Sequence, residues 1–363
     1  MRGKERRYFP GTSTPNGYLP FFNNVISWRD AKKIYVLKGG PGTGKSTFLG
    51  NLGERLLNLG YDVEFLHCSA DSNSLDGIYL ANLGIALVDG TAPHVIDPNF
   101  PGAIDVIINL GDFWKEEGIR KNKKEIIKLQ EQIKDCYMHA FSHLKIAKIY
   151  YDEMENIYIK AVKKLELKKF ISDIINVVYK EKTSPFKIPK IRKMFASSIT
   201  PEGKVNFVKN LFDGLEYKYI FTCASSEIVY EVIKAIKDRA VLMGYDVEEF
   251  HCPISPEKID HLILPELNMG FVNSKEPHIY DKPEGNYECF NLDTLVDLEK
   301  ITENKFLEAE KTKMIEALDE AVEGMREAKR LHDYLEKFYI ESMNFEKIDE
   351  KLEEVYYDIL RNL

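Results

Sequence analysis

Two stretches of this chain are copies of each other, and that limits its fold more than any other feature. Gly60-Tyr61-Asp62-Val63-Glu64 recurs as Gly244-Tyr245-Asp246-Val247-Glu248, and His67-Cys68 recurs as His251-Cys252 at the same offset. Asp76 and Asp260, Leu80 and Leu264, Pro93 and Pro277, His94 and His278, and Asp97 and Asp281 keep that register without a gap. Upstream, Phe9, Thr14, Pro15, Gly17, Phe21 and Asn24 match Phe195, Thr200, Pro201, Gly203, Phe207 and Asn210. Downstream, Asp152, Glu155, Tyr158 and Ile159 match Asp333, Glu336, Tyr339 and Ile340. Self-similarity of this kind predicts two copies of one unit, residues 1–190 and 191–363.

Chemistry concentrates near the start of the first copy. Residues 34–37, Ile-Tyr-Val-Leu, read as a buried strand, followed by Lys38-Gly39-Gly40-Pro41-Gly42-Thr43-Gly44-Lys45-Ser46-Thr47. Gly39, Gly44, Lys45 and Ser46 satisfy G-x-x-x-x-G-K-[ST]. Phe48, Leu49, Leu52, Leu56 and Leu59 then follow at helical spacing until Gly60. Strand, glycine loop and helix is the context that makes this motif a P-loop. Glycines let successive N–H groups point inward as an anion nest, and the helix N-terminus adds partial positive charge. The spacing therefore predicts Gly39, Gly40, Pro41, Gly42, Thr43, Gly44, Lys45, Ser46 and Thr47 around the phosphates of ATP. Lys45 would reach the β- and γ-phosphates, Ser46 would meet Mg²⁺, and Thr47 the α-phosphate.

Magnesium also needs a carboxylate. Gly84-Ile85-Ala86-Leu87-Val88-Asp89 reads as an apolar strand ending in an acid, so Asp89 is the expected metal-side and catalytic carboxylate. The competing acids are Asp71 and Asp76, and Asp89 could instead only cap the turn after it. Gly90 follows, so no glutamate stands beside Asp89 as a water-activating base; His94 is the nearby alternative. In the second copy the loop projects onto Cys223-Ala224-Ser225-Ser226-Glu227-Ile228-Val229-Tyr230. Lys45 becomes Val229, Ser46 becomes Tyr230, and Asp89 becomes Asn273. Valine cannot neutralise a phosphate, so a single nucleotide site is expected, in the first half.

Three other features carry competing readings. His67-Cys68 survives in both copies, either packing at a strand end or, with His94, forming a metal or redox site. The segment 180–193 is basic, holds Pro185 and Pro189, and reads as a linker; Arg192 or its counterpart Arg6 could act as an arginine finger. Beyond Trp114, Ile126, Ile133, Ala140, Ala147, Met154 and Ala161 recur every seven residues, as do Met314, Ala321, Ala328 and Leu335. These are coiled-coil-like stripes. They predict arms that pack on one another or on the cores, or serve a protein partner or self-association.

Composition narrows the class. The chain has 363 residues, 44% apolar and 30% charged, with 50 Lys+Arg against 58 Asp+Glu and a net charge of −8. Acidity argues against a dedicated nucleic-acid role. No apolar run has the length of a membrane span, Met1–Arg7 leads into no apolar leader, and the five cysteines form no CxxC pair. A cytoplasmic protein with reduced thiols, away from membranes, is the expectation.

Phe9-x-Gly11-x-x-Thr14-x-x-Gly17, the Lys38–Ser46 loop, His67-Cys68-Ser69, Asp89-Gly90-Thr91-Ala92-Pro93-His94, Pro101-Gly102 and Asn109-Leu110-Gly111-x-x-Trp114 occur in that order. As a set they resemble a bacterial family of tandem-duplicated P-loop ATPases found chiefly in spore-forming Gram-positive lineages. The resemblance implies two P-loop cores, cytoplasmic location and ATP binding; Cys223–Tyr230 departs from it. The resulting expectation is an α/β chain: two three-layer P-loop cores with mostly parallel sheets, facing each other with pseudo-twofold symmetry, each followed by a helical arm. Residues 1–111 form the active core and 112–190 its arm and linker. Residues 191–296 form a degenerate core and 297–363 its arm. The expected function is a Mg²⁺-dependent ATPase acting as a conformational switch. The alternatives are a small-molecule or nucleotide kinase and a nucleotide-sensing interaction protein with little turnover.

Overall fold

The computed structural model describes every residue except 25, 26, 93, 94, 277, 282, 362 and 363. Strand β1 (Glu5–Tyr8) precedes a hairpin of β2 (Gly11–Thr14) and β3 (Gly17–Pro20). β4 (Lys33–Lys38) leads into α1 (Lys45–Asn58), then β5 (Val63–His67), β6 (Leu75–Leu80), β7 (Ile85–Asp89) and β8 (Asp105–Asn109). Helices α2 (Glu116–Lys121), α3 (Lys123–Ala161) and α4 (Lys164–Val178) follow. The series then restarts with β9 (Ile191–Met194), the hairpin β10 (Ser197–Thr200) and β11 (Gly203–Asn206), α5 (Val208–Phe212), β12 (Tyr217–Thr222) and α6 (Ser226–Met243). It ends with β13 (Val247–His251), β14 (Ile259–Leu264), β15 (Met269–Asn273), β16 (Asn286–Asn291), α7 (Leu298–Thr302), α8 (Leu307–Ile340) and α9 (Phe345–Arg361).

The two six-stranded sheets have orders β1-β5-β6-β7-β4-β8 and β9-β13-β14-β15-β12-β16. Only β6 and β14 run against their neighbours; all other pairings within the two sheets are parallel. Even the register shift recurs, at Leu66/His67 and at Phe250/His251. Strand alternation divides each core. In β4, Tyr35 and Leu37 face α1, while Val36 points the other way, towards Phe22 and Val88.

The helices do not stay with the core they follow. The apolar stripe of α9, Ile348, Leu352, Val355 and Ile359, packs against α1 and the first sheet. Leu167, Ile174 and Val178 of α4 pack against α6 and the second sheet. Backbone pairs fix both crossings. Trp114 bridges Met343, and Val162 bridges Val296. Each core is followed by a helical segment, as expected, and the last helix of each segment packs on the other core. The expected third layer is also reduced: short elements, the turn at Phe22–Asn24 and α5, cover the faces opposite α1 and α6. Between the cores, α3 and α8 pack antiparallel through Ala140, Leu144, Ala147, Ala317, Leu318, Ala321 and Met325. This is the seam that the seven-residue spacing predicts. Among the described residues, no helix is long and apolar enough to cross a membrane.

The edge strands β1 and β9 meet at the centre. Phe9 and Phe195 exchange backbone hydrogen bonds of 2.9 and 3.0 Å, and Thr12 Oγ1 lies 2.6 Å from Ser198 Oγ. Beside them four charges are buried together. Arg6 bonds Glu64 at 2.9 Å and Glu248 at 2.5 Å; Arg192 bonds Glu64 at 2.6 Å and Glu248 at 2.7 Å. Burial alone would raise the Glu64 and Glu248 carboxyls, but the two guanidinium groups hold both below the usual carboxylate range. Stability from these depressed groups is full above an unfolded pKa of about 4.3 and is lost as pH falls towards their folded values. We therefore expect urea midpoints to drop as pH falls from 5 to 3, read by circular dichroism. Arg192→Met leaves two buried carboxylates on one guanidinium, and should cost about 3–5 kcal/mol at pH 7.

Candidate functional site

The glycine loop lies between β4 and α1. Gly42 and Gly44 take φ of 67° and 84°, a left-handed conformation that other residues resist. Thr43 Oγ1 donates to Gly40 O at 2.8 Å and ties the loop to itself. Lys45 Nζ donates to Gly39 O at 2.8 Å and Gly40 O at 2.9 Å. Ser46 Oγ accepts from Leu75 N at 3.0 Å. Pro41 is half-buried and Thr47 exposed at the first turn of α1, where a helix leaves its N–H groups without intrahelical acceptors.

Asp89 arrives because β7 pairs parallel with β4, setting it beside Leu37. Its Oδ2 lies 3.6 Å from Lys45 Nζ, and its Oδ1 accepts from Thr91 N at 2.8 Å and Thr91 Oγ1 at 2.5 Å. It therefore caps its turn and faces the loop lysine at once. Asp71 accepts from Ser74 Oγ at 3.0 Å and pairs with Lys329 at 3.2 Å, while Asp76 is buried on β6. His94 lies outside the described residues.

Sequence reasoning missed the roof of this loop. The end of α8 and the start of α9 lie directly over it. A Cβ on Gly40 would stand 2.9 Å from Tyr339, and one on Gly42 would stand 2.9 Å from the backbone oxygen of Glu336 and from Ile340. Phe345 covers Gly44. Gly42 N–H donates to Glu336 Oε1 at 3.1 Å, and His332, one turn away, sits 3.7 Å from the same oxygen. Burial pulls the His332 imidazole below its ordinary value. The signal was present in the downstream repeat, which pairs Glu336 with Glu155.

Glu155 does the same at the second loop, more completely. Its carboxylate accepts from Ser225 Oγ at 2.5 Å, Ser226 N at 3.0 Å and Glu227 N at 3.0 Å, with Lys275 Nζ at 3.6 Å. Glu155 is 4% exposed, whereas the Glu336 side chain is 33% exposed. Val229 is buried in the second core and Tyr230 packs on it. Ser225 caps α6 in the manner of an ordinary helix N-terminus, accepting from Ile228 N.

Two other readings turn on position. Arg6 and Arg192 are held by Glu64 and Glu248 at the centre, so neither serves the loop as an arginine finger. His67 stacks near Phe9 and Phe207, and His251 near Phe195 and Phe21, each ring contacted by the other half's phenylalanine. His67 Nδ1 meets Ser72 O at 2.7 Å and Nε2 meets Arg7 at 2.9 Å. Burial, with Arg7 alongside, pulls this imidazole down to about 4, and burial beside Asp76 pushes the Cys68 thiol up. Both repeated histidines lie where the two halves meet, while His94, the third residue of the metal reading, lies outside the described residues.

Comparison with protein-family models, curated proteins and solved structures gives no match. The two carboxylates make a direct contrast. Glu155→Ala removes the acceptor of two backbone N–H groups and a hydroxyl, and should cost about 2–4 kcal/mol in urea denaturation. Glu336→Ala, at a partly exposed site with one such bond, should cost under about 1 kcal/mol.

Proposed function

We propose that the chain is a tandem-duplicated P-loop protein that binds ATP with Mg²⁺ at one site, Gly39–Thr47, and uses binding and hydrolysis as a conformational switch. One observation carries this reading: in both halves the loop before the helix directs N–H groups at a carboxylate, so the fold draws an anion to that place twice. In the first half the anion is a single, partly exposed contact from Glu336 to Gly42, while Lys45 of the same loop faces Asp89 and Ser46 follows it on α1. In the second, Glu155 fills the nest and no P-loop lysine remains.

The chemistry follows from these groups. The backbone N–H groups and Lys45 would take the phosphates, with Lys45 Nζ leaving Gly39 O and Gly40 O to do so. Ser46 and Asp89 would hold Mg²⁺, which supplies charge neutralisation at the phosphoryl oxygens. A triphosphate in the loop competes with Glu336 for the same N–H group. Binding would therefore loosen the α8–α9 corner, and hydrolysis would let it return.

ATP binding measured calorimetrically in Mg²⁺ should weaken at least about tenfold in Lys45→Ala, a loss of about 1.4 kcal/mol. It should strengthen in Glu336→Ala and stay unchanged in Tyr230→Phe. Trp114, whose ring lies 5.8 Å from Tyr339, should report the movement as an ATP-dependent fluorescence change in a Trp28→Phe background. Unaltered binding in Lys45→Ala would sink the site assignment. Phosphate release that persists in Lys45→Ala would sink the hydrolysis.

A further inference from the structure

Midway along the α3–α8 pair, far from the glycine loop in sequence, three metal-capable side chains converge. His139 and His143 are one turn apart on α3 and share a face, their ring centroids 4.4 Å apart. Glu320 faces them from α8, with Oε2 3.9 Å from His139 Nε2. One ligand atom from each of the three lies within 4.8 Å of the others. Gly324 makes the approach possible. A Cβ there would stand 3.1 Å from His139 Cδ2 and 3.2 Å from Cys136 O, so a larger residue would crowd both neighbours. Fully buried Ala140 and Ala321 form the floor. The placement is not arbitrary within the repeat. Continuing the register of Asp152 and Asp333, His139 is the counterpart of Glu320, and His143 of Gly324. The two arms meet here at matching positions, one giving imidazoles, the other a carboxylate and the space.

We propose that His139, His143 and Glu320 bind one late first-row divalent cation, zinc being the best fit, which staples α3 to α8. Two imidazole nitrogens and one carboxylate oxygen form a donor set that suits zinc, copper or nickel, and one that magnesium and calcium, which take oxygen ligands, do not favour. Zinc draws its ligands in to about 2.0–2.2 Å. His139 and Glu320 have side chains 52% and 61% exposed, so small rotations about their own bonds suffice. Solvent completes the tetrahedron. The ion would fix the register of α8 on α3, and with it the position of Glu336 about four and a half turns further along α8. Ion binding itself does not rest on the nucleotide reading.

The test uses the full chain, free of any affinity tag and stripped with chelator. Titrated with Zn²⁺ in a calorimeter, it should take up one equivalent at micromolar concentrations, and Co²⁺ should give the visible bands of a tetrahedral site. His139→Ala and His143→Ala should each weaken binding by at least the roughly 10–100-fold that loss of an outer-shell partner costs. Millimolar Mg²⁺ should not compete. Circular dichroism checks that these exposed variants stay folded. Failure of the wild-type chain to bind Zn²⁺ at micromolar concentrations overturns the proposal. So does unchanged binding in the double variant His139→Ala/His143→Ala. Binding lost instead in His332→Ala would place the ion at the His332, Asp333, Glu336 cluster, and would equally overturn it.

Discussion

The four charges of Arg6, Glu64, Arg192 and Glu248 make the two halves one object. Each glutamate lies on the strand next to the edge of its own sheet, β5 or β13, with a side chain only 6% exposed, and each accepts from one arginine of its own half and one of the other. Separated, either half would keep a buried carboxylate with half its compensation, a costly state in a low-dielectric setting. The same contact covers β1 and β9, the strands at one edge of each sheet, where unpaired N–H and C=O groups would otherwise invite other chains. Reciprocal tilted ring contacts of Phe207 with His67 and of Phe21 with His251 extend the closure.

That closure makes the exchange of helices possible. With the cores held side by side, α3 and α8 run antiparallel between them, and each delivers the next helix to the opposite sheet. The apolar stripe of α9 then completes the first core and that of α4 the second. A consequence is that the end of each long helix arrives over a loop it does not belong to. Glu336 reaches Gly42 and Glu155 reaches Ser226. The second loop has no glycine, and there Glu155 is held by Ser225, Ser226 and Glu227 together. Once a carboxylate, a serine cap and Lys275 satisfy the nest, left-handed glycines have nothing further to do there.

Much of this was legible locally. The glycine loop, its strand and its helix are contiguous, so spacing alone located them and placed Lys45 and Ser46. Asp89 followed from an apolar run ending in an acid, because parallel pairing of β7 with β4 brings strand ends together. The seam residues Ala140, Ala147, Ala321 and Ala328 followed from a seven-residue period. Pairings across great chain distance were not legible. Nothing in the sequence near Arg192 says that its partners are Glu64 and Glu248, and an arginine in a basic stretch reads as solvated or catalytic. Nothing near Val355 says that it packs on α1. His67-Cys68 invited a chemical reading because its residue types are reactive, and nothing nearby in sequence says that each histidine meets a phenylalanine of the other half.

The difference between the two loops has a magnitude that bears on movement. A buried hydrogen bond to a charged group contributes about 1.5–3 kcal/mol net, and a partly exposed one less, because water competes for it. Glu336 makes one such bond to its loop, while Glu155 makes three and lies near an ammonium group. A ligand bearing several phosphate charges can outweigh the first set alone. Displacing the second would require a ligand to replace three bonds at once in a buried setting that lacks a P-loop lysine. The apolar contacts of Tyr339, Ile340 and Phe345 on the glycines oppose release of the first corner as well. On the proposed switch reading, release would favour a tilt or slide of α8 that keeps α9 seated on α1 through Ile348, Leu352, Val355 and Ile359 over full detachment. Motion at the first loop would then pass along α8 into the α3 seam, and stop at the half whose loop is locked.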